Sequence, residues 1–215
     1  MKKPAVLFDF DGTLMDTEPA IMSSYGYLFR KYRTIEEFTI EKQVSVLGPA
    51  LSVMMKQFFP EKDPDEMVEE YRKYQRENLR DLIKPMPYAM ELLAWMKEEG
   101  WQTGVISTRY SSSLIQLMDL SGMTKYIDVT IGHDQVVHDK PDPEGILRAA
   151  EMLGADSCIY VGDSATDILA GHNAGAGTIA FVSNEAKRQS LIDSHPDFIT
   201  GKLSEIRKYL EAYYE

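Results

Sequence analysis

Residues 4–17 read PAVLFDFDGTLMDT. Ala5 to Phe10 is a short apolar run rich in strand formers, and it reads as a first β-strand. Asp9 and Asp11 stand two apart at its end, followed by Gly12 and Thr13. Outward from there, strand and helix patterns alternate. Met90 to Glu99 reads as a helix stopped by Gly100, and Thr103 to Ile106 as a strand. A helix over Ser111 to Ser121 ends at Gly122, and a strand follows over Ile127 to Ile131. Glu144 to Leu153 is a helix ended by Gly154. Ser157 to Val161 is a strand, Thr166 to Ala174 a helix and Thr178 to Val182 a strand. Such alternation predicts an α/β fold, a parallel sheet with helices on both faces.

Residues 16–85 break the alternation and read as helices only. Ile21, Tyr25, Leu28, Phe29 and Tyr32 recur at helical spacing. Pro49 and Pro64 stand where a helix accepts proline, in its first turn. Asp63 and Glu66 have capping-box spacing. Val68, Tyr71, Gln75, Leu79 and Ile83 then mark one amphipathic face. The expected division is therefore an α/β core of residues 1–15 and 86–215, with a helical module of residues 16–85 inserted after the first strand. The module holds 11 basic and 13 acidic side chains, the rest of the chain 12 and 21. Its cations cluster at Arg30-Lys31-Arg33 and Arg72-Lys73-Arg76-Arg80. Both read either as a solvated helix face, the second cluster paired with Glu69, Glu70 and Glu77, or as contacts for an anionic substrate.

Composition narrows the function classes. The chain has 215 residues, 44% hydrophobic and 27% charged, enough apolar content for a sizeable core. A net charge of −11 gives no reason to expect nucleic acid or an anionic membrane as partner. Cys158 is the single cysteine, which rules out an intrachain disulfide and a Cys-rich zinc site. No apolar run approaches the roughly 20 residues of a membrane span. Asp9 and Asp11 cut short any signal-like start after Lys2 and Lys3, so a cytoplasmic protein is expected.

Four segments carry candidate chemistry, three of them directly after a strand. Asp9 and Asp11 place like charges close together, which is unfavourable unless a cation or proton separates them. Strand ends of this kind are where ligands bind, and Gly12 lets the backbone approach one closely. Two solvated loop aspartates are the plain alternative. Gly162-Asp163-Ser164-Ala165-Thr166-Asp167 opens a helix with two carboxylates four apart; helix capping explains one of them better than both. Hard oxygen ligands from two strand ends suit Mg²⁺. Ser107-Thr108-Arg109 offers hydroxyl and N–H groups to a phosphate, or an N-cap with a surface arginine. Lys140, between Asp139 and Pro141-Asp142-Pro143, is held by a stiff backbone or is an ordinary loop lysine.

Taken together, DFDGTLMDTEP, VISTR, KPDPEGI and VGDSATDI, in this order and spacing, resemble the haloacid dehalogenase-like superfamily of phosphohydrolases. The resemblance spans the whole chain. It implies a Rossmann-like core with the first strand central and makes the helical insertion a small cap. It is similar to the branch holding phosphoglycolate phosphatases, bacterial pyrophosphatases and β-phosphoglucomutases. By this resemblance Asp9 is the nucleophile and forms an aspartyl phosphate, and Asp11 is general acid and then base. Mg²⁺ is held by Asp9, the carbonyl of Asp11 and Asp163, with Asp167 acting through metal-bound water. Ser107 and Lys140 serve the phosphoryl group, with Phe10, Gly12, Thr108 and Arg109 in substrate binding.

The expected reaction is Mg²⁺-dependent hydrolysis of a small, anionic phosphorylated metabolite such as phosphoglycolate. Inorganic pyrophosphate hydrolysis and phosphotransfer of the β-phosphoglucomutase kind are the alternatives. Arg109 and Thr108 depart from the lysine and asparagine common in relatives. Asp11 argues against carbon–halogen cleavage, since the haloalkanoate dehalogenases lack an acid there. The Leu47-Gly48-Pro49 turn resembles a glycine–proline turn in the phosphoglycolate phosphatases and pyrophosphatases. His133, His138, His172 and His195 show no metal-ligand spacing backed by other ligands, and Cys158 reads as a buried core residue. The sequence leaves the oligomeric state open.

Overall fold

The structure, a computed structural model, describes residues 3–47, 49–78 and 80–214, Arg80 in its backbone alone. The Gly48 turn and Leu79 therefore lie outside the described residues. The strands are β1 (Ala5–Phe8), β2 (Met15–Asp16), β3 (Lys84–Pro85), β4 (Thr103–Ile106), β5 (Val129–Ile131), β6 (Cys158–Gly162), β7 (Gly177–Phe181) and β8 (Phe198–Thr200). The α-helices are α1 (Glu18–Tyr32), α2 (Ile40–Ser45), α3 (Leu51–Phe58), α4 (Pro64–Asn78), α5 (Ala89–Glu98), α6 (Ser111–Ser121), α7 (Glu144–Leu153), α8 (Ala165–Asn173), α9 (Arg188–Asp193) and α10 (Leu203–Tyr214). Contacts divide the chain into one unit of Met1–Met15 with Pro85–Glu215 and a second of Asp16–Lys84. The short strands β2 and β3 form a two-stranded ribbon where the chain crosses from one to the other.

The first unit is a six-stranded parallel sheet in the order β5-β4-β1-β6-β7-β8. The chain runs outward from β1 through β4 to β5, then returns to β6 on the other side of β1. That return makes the β1/β6 boundary the switch point of a Rossmann-like sheet, where the crevice for a ligand opens beyond the strand ends. β1 is buried throughout, as a strand covered on both faces must be. Its side chains alternate: Ala5 and Leu7 join Ile106, Val129, Ile146 of α7 and Ala170 of α8 in one apolar cluster. Gly122 and Gly154 end α6 and α7 as expected.

The second unit packs α1, α3 and α4 around aromatic rings. Tyr25, Leu28, Phe29, Phe38, Met55, Phe59 and Tyr71 are buried together, and the Phe29 and Phe38 rings stack at 4.9 Å. Truncating a ring so enclosed, Phe29 for example, would cost about 3–5 kcal/mol. Asp63 caps α4, its Oδ1 accepting from the N–H groups of Asp65 and Glu66 at 2.9 and 3.1 Å. Pro64 begins that helix.

Several local expectations need correction. Pro49 precedes the N-cap Ala50 of α3 and is not in its first turn. β1 stops at Phe8, because the chain turns once Phe10 accepts N–H bonds from Thr13, Leu14 and Met15. Cys158 is only half-buried, at the start of β6. β8 and the helices α9 and α10 complete the unit after the last strand anticipated from the sequence. Among the described residues no helix is long and apolar enough to cross a membrane.

Candidate active site

The site side chains come from strand ends, one helix start and one loop of the first unit. The Asp9 N–H donates to the Val161 carbonyl at 2.8 Å, which continues the β1/β6 ladder one residue beyond the strand. Asp163 follows the end of β6 directly. The two aspartates thus face each other across the switch point through backbone register. Asp167 enters from the first turn of α8, where Ser164 is the N-cap. Its Oδ2 accepts from the Ser164 N–H at 3.0 Å and the Ser164 hydroxyl at 2.5 Å. Capping therefore accounts for one Asp167 oxygen and leaves the other to face the site. Gly162 permits this, because a Cβ there would lie 2.2 Å from that of Asp167.

Lys140 joins the carboxylates. Its ammonium donates to Asp9 Oδ1 and Asp167 Oδ1, both at 2.6 Å, and to the Tyr160 hydroxyl at 3.2 Å. The side chain is almost wholly enclosed, so this loop lysine is fixed. Its loop is tied down where the Asn173 amide donates to the Pro141 carbonyl at 2.9 Å. Burial alone would lower the proton affinity of Lys140, but Asp167 and Asp9 hold it well above the ordinary lysine range.

Carboxylate oxygens of Asp9, Asp163 and Asp167 lie within 4.8 Å of one another, and all three residues are buried. Burial pushes the Asp9 carboxyl up to about 8, with Asp167 and Asp163 adding and Lys140 opposing. Asp163 is raised by burial too, against the pull of Lys187. Like charges this close call for a further cation. The donor set, hard carboxylate oxygens, fits Mg²⁺. Gly12 completes the cradle: with φ of +87°, it leaves bare the space where a Cβ would stand 2.2 Å from Asp163 Oδ2.

Asp11 sits apart from this triad. Both aspartates lie past the end of β1, so strand alternation does not align them. The Asp11 carboxylate instead meets Arg109, with Nε 3.1 Å from Oδ2 and Nη2 2.5 Å from Oδ1. Ser107, buried after β4, accepts from the Arg109 N–H at 3.1 Å and donates its own N–H to Ile131 at 3.0 Å. Ser107, Thr108 and Lys140 line one small recess with Gly132 and Asp142. Phe10 is wholly buried, so any part in ligand binding would fall to its main chain.

Four contributors escaped the sequence reading. Tyr160 lies beneath Lys140 and donates to the Ile106 carbonyl at 3.2 Å. Thr13 Oγ1 donates to Asp9 Oδ2 at 3.4 Å. Ser183 and Lys187 both reach Asp163 Oδ2, at 2.7 and 2.6 Å. Ser183 was legible in principle as a polar residue just after a strand; Lys187 carries no such signal.

Other candidates resolve differently. His138 comes within ligand distance of Asp142 and Glu144, a grouping its sequence spacing did not suggest. Glu144 already accepts the N–H groups of Val137 and His138 at 3.0 Å, which gives that cluster a structural explanation. His133 pairs with Asp139 at 2.8 Å. In the second unit, Lys31 pairs with Glu70, Arg33 with Glu61 and Arg76 with Glu69. These pairings support a solvated, paired face for those cations; the Arg80 side chain lies outside the described residues.

Comparison with known proteins points the same way. The sequence profile of the family described as haloacid dehalogenase-like hydrolase matches residues 6–181. The chain is 32% identical over 207 residues to the pyrophosphatase PpaX of Listeria monocytogenes, covering 95% of each chain. The solved structure of a haloacid dehalogenase-like hydrolase from Bacteroides fragilis matches with a TM-score of 0.85 at 26% identity, over 95% of this chain and 100% of that one. A structure described as a phosphoglycolate phosphatase, from Lactobacillus delbrueckii subsp. bulgaricus, shares the fold with a TM-score of 0.83 at 20% identity, over 98% and 99% of the two chains.

Proposed function

The chain belongs to the haloacid dehalogenase-like hydrolases, and from that premise we propose that this phosphatase is Mg²⁺-dependent and cleaves a small anionic phosphate compound through an aspartyl phosphate on Asp9. The observation that carries the reading is the buried Asp9 carboxylate, gripped by Lys140 at 2.6 Å and grouped with Asp163 and Asp167.

Asp9 attacks phosphorus with a carboxylate oxygen, and the bond to the leaving oxygen breaks as Asp11 gives that oxygen a proton. Asp11 then takes a proton from water, whose oxygen attacks the phosphorus and releases Asp9. Anionic nucleophile and anionic phosphate repel, so Lys140 offsets part of the charge at the point of attack. Ser107 and the N–H groups near Thr108 receive phosphoryl oxygens, and Asp167 keeps Lys140 aimed at Asp9. The side chains of Asp9 and Asp163, with the carbonyl of Asp11, would hold Mg²⁺. When bound, the ion supplies the remaining charge neutralisation at the phosphoryl oxygens.

Phosphoglycolate is the substrate class the sequence resemblance favours. The PpaX relative, at 32% identity, favours pyrophosphate as the second reading. The test is phosphate release from phosphoglycolate, pyrophosphate, β-glucose 1-phosphate and p-nitrophenyl phosphate, with Mg²⁺ and with EDTA. Turnover of one of the first two that stops in EDTA and returns with Mg²⁺ is expected. Full activity in excess chelator would refute the metal assignment. Trapping by a sugar bisphosphate, with no free phosphate released, would move the protein to phosphotransfer.

A further inference from the structure

Lys187 lies in a short turn after β7 and is only 9% exposed. A lysine is seldom buried so far without a partner. Its ammonium reaches back to Asp163 Oδ2 at 2.6 Å. Ser183 Oγ donates to the same oxygen at 2.7 Å, so Asp163 is oriented by a neutral hydroxyl as well. What Lys187 adds is charge. The three carboxylates of the cluster thus face two ammoniums: Lys140 spans Asp9 and Asp167, and Lys187 holds Asp163.

We infer that Lys187 is a positioning and charge-setting residue that acts through Asp163, weakening the hold of the carboxylate cluster on a divalent cation and strengthening its hold on a phosphoryl anion. The inference rests on the metal site proposed above. Two physical points carry it. If the position needed only packing, an apolar side chain of similar volume would fill it without the desolvation cost of an ammonium. If Asp163 needed only orientation, Ser183 already provides a hydrogen bond from the same side. A fixed positive charge among the ligands acts oppositely on the two ions the site must accept. It repels the cation and attracts the phosphate. In a partly buried setting a unit charge a few ångströms away shifts ion binding by tenfold or more.

The experiment is calorimetric titration of the full chain with MgCl₂ alone, followed by orthovanadate titration at saturating Mg²⁺. The proteins are wild type, Lys187→Met and Lys187→Arg. Lys187→Met should bind Mg²⁺ at least tenfold more tightly and orthovanadate at least fivefold more weakly. Lys187→Arg keeps the charge and should stay within about threefold of wild type on both. A Lys187→Met protein whose Mg²⁺ affinity is unchanged or weaker would overturn the inference and leave Lys187 a simple support for Asp163. Should Lys187→Met not fold, Lys187→Gln takes its place. Failure of both to fold beside a folded Lys187→Arg would also overturn it, because the charge would then serve the fold. A wild-type protein that takes up no Mg²⁺ at millimolar concentration would instead refute the underlying metal site.

Discussion

Arg109 grips both oxygens of Asp11 with two different nitrogens, Nε at 3.1 Å and Nη2 at 2.5 Å. A planar guanidinium matches a carboxylate in this forked way, whereas a lysine ammonium is a point charge. The guanidinium thus holds the carboxylate of the proposed proton donor in one orientation.

Arg109→Lys should therefore keep the charge but lose the aim. With a poor leaving group such as phosphoglycolate, kcat should fall by roughly tenfold, a fraction of what general acid–base help is worth. With p-nitrophenyl phosphate, whose leaving group departs without a proton, kcat should stay within about threefold. Steady-state rates on the two substrates check this, and equal losses on both would reject an aiming role.

Asp9→Asn should abolish turnover, by about 10⁴-fold or more on p-nitrophenyl phosphate, since members of a catalytic unit fail together. Asp11→Asn should behave differently. Loss should be about 10²–10⁴-fold with a poor leaving group and smaller with p-nitrophenyl phosphate. The second step also lacks its base, so a phosphoryl group should accumulate on Asp9. Mass spectrometry of acid-quenched enzyme reads this directly; no added mass with either substrate would count against the acid–base role of Asp11.

Gly12→Ala tests the cradle beside Asp163. The backbone there has φ of +87°, and the new methyl would press on Asp163 Oδ2 from 2.2 Å. Strain from a side chain in this region costs of order 1–3 kcal/mol. The melting temperature should fall by several degrees, and Mg²⁺ should protect the variant from heat less than it protects wild type. Wild-type melting with full Mg²⁺ protection would show that the loop moves freely and that the close approach is unimportant.

The sheet was legible because its strands are short apolar runs, each followed by a polar turn and an amphipathic helix. Asp9, Ser107 and Asp163 stood out for a related reason: parallel strands all end on the same edge, so polar residues just past them converge, and Asp167 joins them from the first turn of α8 and Lys140 from its proline-flanked loop. The same logic fails away from those ends. Tyr160 lies inside β6, and only its register opposite Leu7 and its long side chain carry its hydroxyl beneath Lys140. Lys187 is separated from Asp163 by a helix, a strand and a turn, with no periodicity linking them. Asp11 stands two residues from Asp9, a spacing that on a strand would put both on one face, but the turn closed on the Phe10 carbonyl sends it toward Arg109. β8 escaped notice because three residues, Phe198–Thr200, carry too little apolar pattern.

Asp128 links stability to pH without touching the active site. Its carboxylate accepts the Thr103 N–H at 2.9 Å, where β4 begins, and the Lys97 ammonium at 2.8 Å, where α5 ends. Burial pushes the carboxyl up, but Lys97 and Thr103 overcome this and leave it below its ordinary value of 3.8. A carboxylate depressed in the native state stabilises the fold fully above its unfolded value. That stability is lost as pH falls below about 4, where the unfolded chain binds the proton first. Asp128→Asn keeps one acceptor oxygen and removes the charge, so it should cost about 1–2 kcal/mol at pH 7. The gap between variant and wild type should narrow as both are taken toward pH 3, because wild type loses there what the variant never had. Urea unfolding followed by the fluorescence of Trp95 and Trp101, which flank this junction, gives the comparison directly. A gap that is constant from pH 7 to pH 3, or wider in acid, would show that the charge on Asp128 contributes nothing to holding β4 against α5.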